Sequence, residues 1–198
     1  MGFGINTACE NGLNSLLKGV TNARSIQNLA LIGFMGTGKS SVGRLVADLL
    51  HFTYLDTDRV VEARVSKSIV EIFQQEGEPA FRAYEHKVVA ELTLRRKTVI
   101  STGGGLPMNE ENLASLKTHA LVVCLWASSE TIYERVRGHD HRPLLNEADP
   151  LKKIHELLSI REPYYRQADV LVNTEWRSVR DVAVQVIHQF HIAQTAHR

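Results

Sequence analysis

The chain has little cysteine. Two residues, Cys9 and Cys124, stand far apart in 198, which fits neither a disulfide framework nor a zinc site. A reducing, cytoplasmic compartment is the expectation. No apolar run approaches the ~20 residues of a membrane span, so a soluble protein without a membrane partner is expected. Excess charge is missing too: 23 Lys+Arg nearly cancel 22 Asp+Glu, for a formal net charge of +1. That gives no field to attract nucleic acid or an anionic membrane. What is present is apolar material, 43% of the residues, enough to exclude intrinsic disorder and to build one compact α/β domain.

The first 28 residues read as an N-terminal extension, Asn- and Gly-rich, with Leu13, Leu16, Leu17 and Val20 at helical spacing. It has too little arginine for a transit peptide and too short an apolar block for a secretory signal. Residues 29–198 form the expected domain. Short apolar runs at 29–33, 52–55, 99–101, 120–126 and 169–172 alternate with helical periodicity, most clearly at 39–50 and 179–190. Strands separated by helices imply right-handed crossovers and a five-stranded parallel sheet. Two intervals exceed a simple crossover: a mostly helical stretch within about 59–97, and a polar stretch at about 138–150. The first suits a substrate-binding insertion and the second a lid.

The strongest local signal is GFMGTGKS at residues 33–40. It fits G-x-x-x-x-G-K-[ST] and lies between an expected strand and an expected helix. Gly36, Thr37, Gly38, Lys39, Ser40 and Ser41 would then cradle phosphates, with backbone N–H groups and a helix N-terminus facing the anion. Lys39 would reach the β- and γ-phosphates and Ser40 would bind Mg²⁺. The loop implies a nucleotide without choosing among kinases, GTPases and motors.

Other residues could choose the second substrate. Asp56 and Asp58 follow the second strand, and period-two spacing would place both carboxylates on one side, at the carboxyl end of the sheet. One could hold Mg²⁺ and the other accept a proton from a hydroxyl; alternatively, Asp58 merely caps a helix starting at Arg59. Arg82 either pairs with Glu78 and Glu85 along its helix or grips a substrate carboxylate with its planar fork. Gly103, Gly104 and Gly105 give a ring room to approach the backbone, or form a loose turn. Arg142 lies in the lid interval and could fold over the transferring phosphoryl group. Arg161 and Arg166 flank EPYY and could both be surface charges. The run His139, Asp140, His141 has no third clustered ligand and reads as polar lid rather than metal site.

Taken together and in this order, GFMGTGKSSVGR (33–44), LDTD (55–58), SIVEIFQQEGEPAFRAYE (68–85), STGGG (101–105), RPLL (142–145) and REPYYRQAD (161–169) resemble shikimate kinase over nearly all of residues 29–190. The resemblance implies a P-loop three-layer α/β sandwich of the nucleoside-monophosphate-kinase type, with strand order 2-3-1-4-5. It implies ATP-dependent phosphorylation of the 3-hydroxyl of shikimate, on the route to chorismate and aromatic amino acids. ATP and shikimate would be the partners, Mg²⁺ the cofactor and a monomer the expected state. Lys39 and Ser40 would bind phosphates and metal, with Asp56 also on the metal side. Asp58 would hold the shikimate hydroxyls and act as base, Arg82 and Arg161 would grip the carboxylate, and Gly103, Gly104 and Gly105 would line the ring. Arg142 would be the lid arginine, while Arg135 and Arg177 would flank adenine. One departure stands out: the proline often found just after the position of Arg177 is absent, and Ser178 and Val179 stand there. A gluconate-type kinase of the same fold is the nearest rival, and a non-catalytic nucleotide-gated protein the next. DTD, FR and GGG argue against the first. The second would be expected to lack Lys39, Asp58 or Arg142, and all three are present.

Overall fold

The computed structural model of the chain describes residues 24–137 and 149–196. Its centre is a five-stranded sheet in the order β2-β3-β1-β4-β5, in which every pairing is parallel. The strands are β1 (Asn28–Ile32), β2 (Thr53–Asp56), β3 (Thr98–Ser101), β4 (Ala120–Trp126) and β5 (Val170–Asn173). Connecting them are α1 (Lys39–Leu50), α2 (Thr57–Val65), α3 (Ile69–Gln75), α4 (Gly77–Leu92), α5 (Glu110–His119), α6 (Ser129–Val136), α7 (Pro150–Tyr165) and α8 (Val179–Ala196), with a 3-10 turn at Leu106–Met108.

The central strands are apolar at almost every position because both faces are covered. Alternation still sorts their side chains. Ala30, Ile32, Ile100, Val122 and Cys124 face a core closed by Val89, Leu116, Ile132 and Ile154. Leu29, Leu31, Val99, Val123 and Leu125 face the opposite core, closed by Val42 and Val46 of α1 and by Val186 and Phe190 of α8. Inserted between β2 and β3, helices α2, α3 and α4 share a smaller core of Val61, Ile72, Phe81 and Val88. A reciprocal capping box between Ser68 and Glu71 fixes the start of α3.

Helix α4 begins at Gly77, two residues before Pro79, because a proline in the first turn gives up an N–H that has no helical partner there. Helix α8 runs past residue 190 to Ala196, and Gln194 ties its last turn to the Ile26 carbonyl at 3.2 Å. The segment before β1 is packed: Ile26 is buried, and both Arg24 amines reach the Asp169 carboxylate. The Leu13, Leu16, Leu17, Val20 pattern, Cys9 and Arg142, expected in a lid, lie outside the described residues. Among the described residues, no helix is long and apolar enough to cross a membrane.

Candidate active site

The parallel strands direct their carboxyl ends to one edge of the sheet, where a cleft of about 790 Å³ opens. Its floor is the phosphate-loop motif. Gly33 leaves β1 at φ 133°, and a Cβ there would stand 2.3 Å from the Leu125 carbonyl oxygen. Only glycine takes that conformation so close to β4. The loop is braced by the Thr37 hydroxyl, which donates to the Phe34 carbonyl at 2.8 Å. Gly38 caps α1 at φ 94° and has no side chain of its own to bond the first turn, which leaves the N–H groups there to an anion. The Lys39 ammonium donates to the Gly33 and Phe34 carbonyls at 2.8 Å each. Gly36, Thr37, Gly38, Lys39, Ser40 and Ser41 all line the cleft.

The two aspartates are placed differently from the period-two expectation. Strand β2 stops at Asp56 and α2 starts at Thr57, so Asp58 is a helical residue. The cap is Asp56 rather than Asp58: its Oδ1 accepts from the backbone N–H of Asp58 and Arg59, at 3.1 and 3.4 Å. Tyr54 donates to its Oδ2 at 3.3 Å. Both carboxylates nevertheless line the cleft. Asp58 Oδ1 is buried, with no hydrogen-bond partner among the described residues. Burial above all, with the charges of Asp56 and Glu85 outweighing the pull of Lys39, raises the Asp58 carboxyl from 3.8 to about 6.

Behind Asp58 lies a residue that sequence reasoning treated only as an ion-pair partner. Glu85 is 1% exposed. Its Oε2 accepts from Arg82 Nη1 at 2.9 Å, and its Oε1 is buried with no hydrogen-bond partner among the described residues. Burial lifts its carboxyl above the usual range against the pull of the Arg82 guanidinium. Its spacing gave a signal: Glu85 falls on the same α4 stripe as Phe81, Val88 and Leu92, where an acid needs a reason to be buried.

The glycine run explains how these groups come together. A Cβ on Gly103 would lie 2.5 Å from Asp58 Oδ1 and 3.0 Å from Glu85 Oε1. On Gly105 it would lie 2.4 Å from Arg82 Nη2, and on Gly104 it would lie 3.4 Å from Arg161 Nη1. Each glycine clears space against a different charged side chain, which a loose turn would not require. The run is anchored by the Thr57 hydroxyl, which accepts from Gly103 N at 3.0 Å. Buried Tyr165 donates to the Gly104 carbonyl at 2.7 Å, and burial pushes its phenol up to about 12.

The arginines separate clearly. Arg82 makes both pairings its helix allows, donating to Glu78 through Nε and Nη2 at 3.1 and 2.8 Å and to Glu85 through Nη1. Its guanidinium nonetheless rests against Gly105, just behind the cleft wall. Arg161 stacks on Phe34, 5.3 Å from the ring centre, and lines the cleft. Arg166 pairs with Glu162 on the surface. At the far end, Arg135 donates to the Thr174 hydroxyl and carbonyl at 2.9 and 2.7 Å. Arg177 bonds to Gln185 and to the Asp181 carbonyl. Arg135, Arg177 and Val179 line that end of the cleft. Among the described residues, no group of three or more His, Cys, Asp and Glu is placed to hold a metal; His139, Asp140 and His141 lie outside them.

The family model for shikimate kinase matches residues 35–191. The shikimate kinase of Thermodesulfovibrio yellowstonii is 41% identical over 165 residues, covering 83% of this chain and 95% of the relative. The solved structure of shikimate kinase from Acinetobacter baumannii in complex with shikimate superposes with a TM-score of 0.80 at 36% identity, covering 85% of this chain and 95% of that one. A gluconokinase from Sinorhizobium meliloti reaches a TM-score of 0.54 at 15% identity, which shows a shared fold alone. The chain belongs to the shikimate kinase family.

Proposed function

We propose that this cleft transfers the γ-phosphoryl group of ATP to the 3-hydroxyl of shikimate, giving shikimate 3-phosphate and ADP. One observation carries the assignment of roles. A single cleft joins the phosphate loop to Asp58 and Arg161, with the glycine run holding Asp58, Glu85, Arg161 and Arg82 side by side.

In this reading the triphosphate lies along the amides of residues 36–41 at the start of α1, and Lys39 turns from the loop carbonyls to the phosphates. Arg135 and Arg177 border the base. Arg82 and Arg161 take the shikimate carboxylate, Gly103, Gly104 and Gly105 face the ring, and Asp58 receives the hydroxyl. The chemistry asks for positioning and charge neutralisation more than for covalent help. Ionised Asp58 accepts the proton as the hydroxyl oxygen attacks the γ-phosphorus and ADP leaves. Mg²⁺ fits the donors present: the Ser40 hydroxyl and Asp56 carboxylate are hard oxygen ligands on the cleft wall. When bound with ATP, the ion neutralises phosphate charge. The lid at 138–150, with Arg142 over the phosphates, would exclude water as a competing acceptor. A cytoplasmic monomer completes the proposal.

The test is ADP release with Mg-ATP and shikimate, gluconate or a nucleoside monophosphate offered separately. Turnover with shikimate alone is expected. Turnover with gluconate and none with shikimate would overturn the assignment.

A further inference from the structure

We propose that Glu175, in the turn between β5 and α8, is a positioning residue for the nucleoside half of ATP: its carboxylate fastens the turn carrying Arg177 to the N-terminus of α6. The proposal rests on reading the cleft as an ATP site.

The turn holds Thr174, Glu175, Trp176, Arg177 and Ser178, and leads into Val179 at the start of α8. One oxygen of Glu175, Oε1, accepts three hydrogen bonds from the cap and first turn of α6: from the Ser128 N–H at 2.9 Å, the Ser128 hydroxyl, and the Thr131 hydroxyl at 2.9 Å. Ser128 is itself the cap of α6, accepting from Thr131 N. The carboxylate therefore adds its charge at the positive end of that helix. These bonds hold the Glu175 carboxyl down to about 2, so the tie persists across the working pH range. The other end of α6 provides a second tie through Arg135 and Thr174. Helix α6 is also fixed to the phosphate loop, since a Cβ on Gly36 would lie 2.8 Å from Val136.

A surface glutamate capping a neighbouring helix is ordinarily a stability feature. Here the turn needs holding. Trp176 sits at φ 53°, a conformation that bulky residues avoid, and the residue is 98% exposed, so packing does not keep it there. The residues after it, Arg177 and Val179, form the wall of the cleft beyond Arg135. Glu175 stands directly before the strained residue and ties the turn to the helix bearing Arg135, which lines the same end of the cleft. Shikimate-side groups share none of these bonds.

The experiment titrates ADP and inorganic pyrophosphate into wild type, Glu175→Ala and Glu175→Gln, and measures KM for ATP and shikimate. Pyrophosphate reports the phosphate loop without the base. If the alanine variant leaves the turn competent about a tenth of the time, ADP affinity falls about tenfold. Pyrophosphate affinity and KM for shikimate should stay within about twofold. Glutamine should restore most of the loss, because its amide oxygen still accepts from Ser128 and Thr131. If the alanine variant does not fold, Thr131→Val, which removes one donor, should give a smaller loss confined to ADP. Equal weakening of ADP and pyrophosphate, or no weakening of ADP, would overturn the positioning role. Wild-type protein that bound pyrophosphate but not ADP would overturn the ATP reading itself, and this proposal with it.

Discussion

Replacing Asp58 with asparagine should make the protein more stable and nearly inactive. The fold holds the Asp58 carboxyl at about 6 rather than 3.8, so it favours the protonated form. The stability this group supports is fully present below about pH 3.8 and is lost as pH rises through about 6. A shift of that size corresponds to about 3 kcal/mol, borne by the wild type at neutral pH. Asparagine keeps the shape and cannot ionise. Urea unfolding at pH 8 should therefore show Asp58→Asn more stable by up to about 3 kcal/mol, with the gap closing towards pH 4. Turnover should move the other way, falling at least about a hundredfold, since a positioned base contributes that much or more. In the wild type, kcat/KM should fall as pH drops below about 6, when Asp58 no longer accepts a proton. A stability gap that did not change with pH would refute the burial argument. Near-normal turnover of the asparagine variant would refute the base.

Arg82→Lys keeps the charge but loses the planar fork, so KM for shikimate should rise well above any change in KM for ATP; equal changes would make Arg82 structural. Glu78→Gln removes an exposed pair and should alter shikimate affinity in a direct titration by no more than about twofold. Glu85→Gln takes the buried anion from Arg82 and should weaken shikimate binding by more than about tenfold, with ADP binding unchanged; loss of both would point to general unfolding. Removing residues 1–23 should leave kcat/KM unchanged, whereas removal through Ser25 also cuts the Arg24–Asp169 tie and should lower Tm by a few degrees at unchanged kcat.

The sheet and phosphate loop were legible because their signals are local. A parallel strand covered on both faces must be apolar throughout, and the loop needs glycine at fixed offsets. The acid pair was legible in identity but not in placement. Period-two logic holds only while a strand continues, and β2 ends at Asp56, leaving that residue as helix cap and Asp58 inside the turn. Arg161 and Arg166 were ambiguous because Pro163 blurs the helix. Once α7 is known to run to Tyr165, a separation of five residues places them on different faces, one on the cleft and one in solvent. Glu85 was the hardest to read. Its burial depends on Gly103 and Asp58 arriving from other parts of the chain, and local periodicity shows only an acid on an apolar stripe.

The two carboxylates on Arg82 make unequal demands on a substrate. Glu78 is 61% exposed and Glu85 1%. An exposed pair along a helix is worth only about 0.3–0.5 kcal/mol, so an incoming carboxylate displaces Glu78 at little cost. Glu85 cannot move into water and keeps its hold on Nη1. The orientation of Arg82 towards Gly105 therefore depends on Glu85 being ionised. Glu85 and Asp58 both border Gly103, and the charge of Glu85 is one of the causes that raise the Asp58 carboxyl. Protonating Glu85 therefore relieves Asp58. The acid limb of the pH profile then reports the pair, joining loss of the base to loosening of the arginine. Glu85→Gln should therefore move the acid limb of kcat/KM, measured with shikimate, to lower pH, and a limb that did not move would refute the link between the two acids.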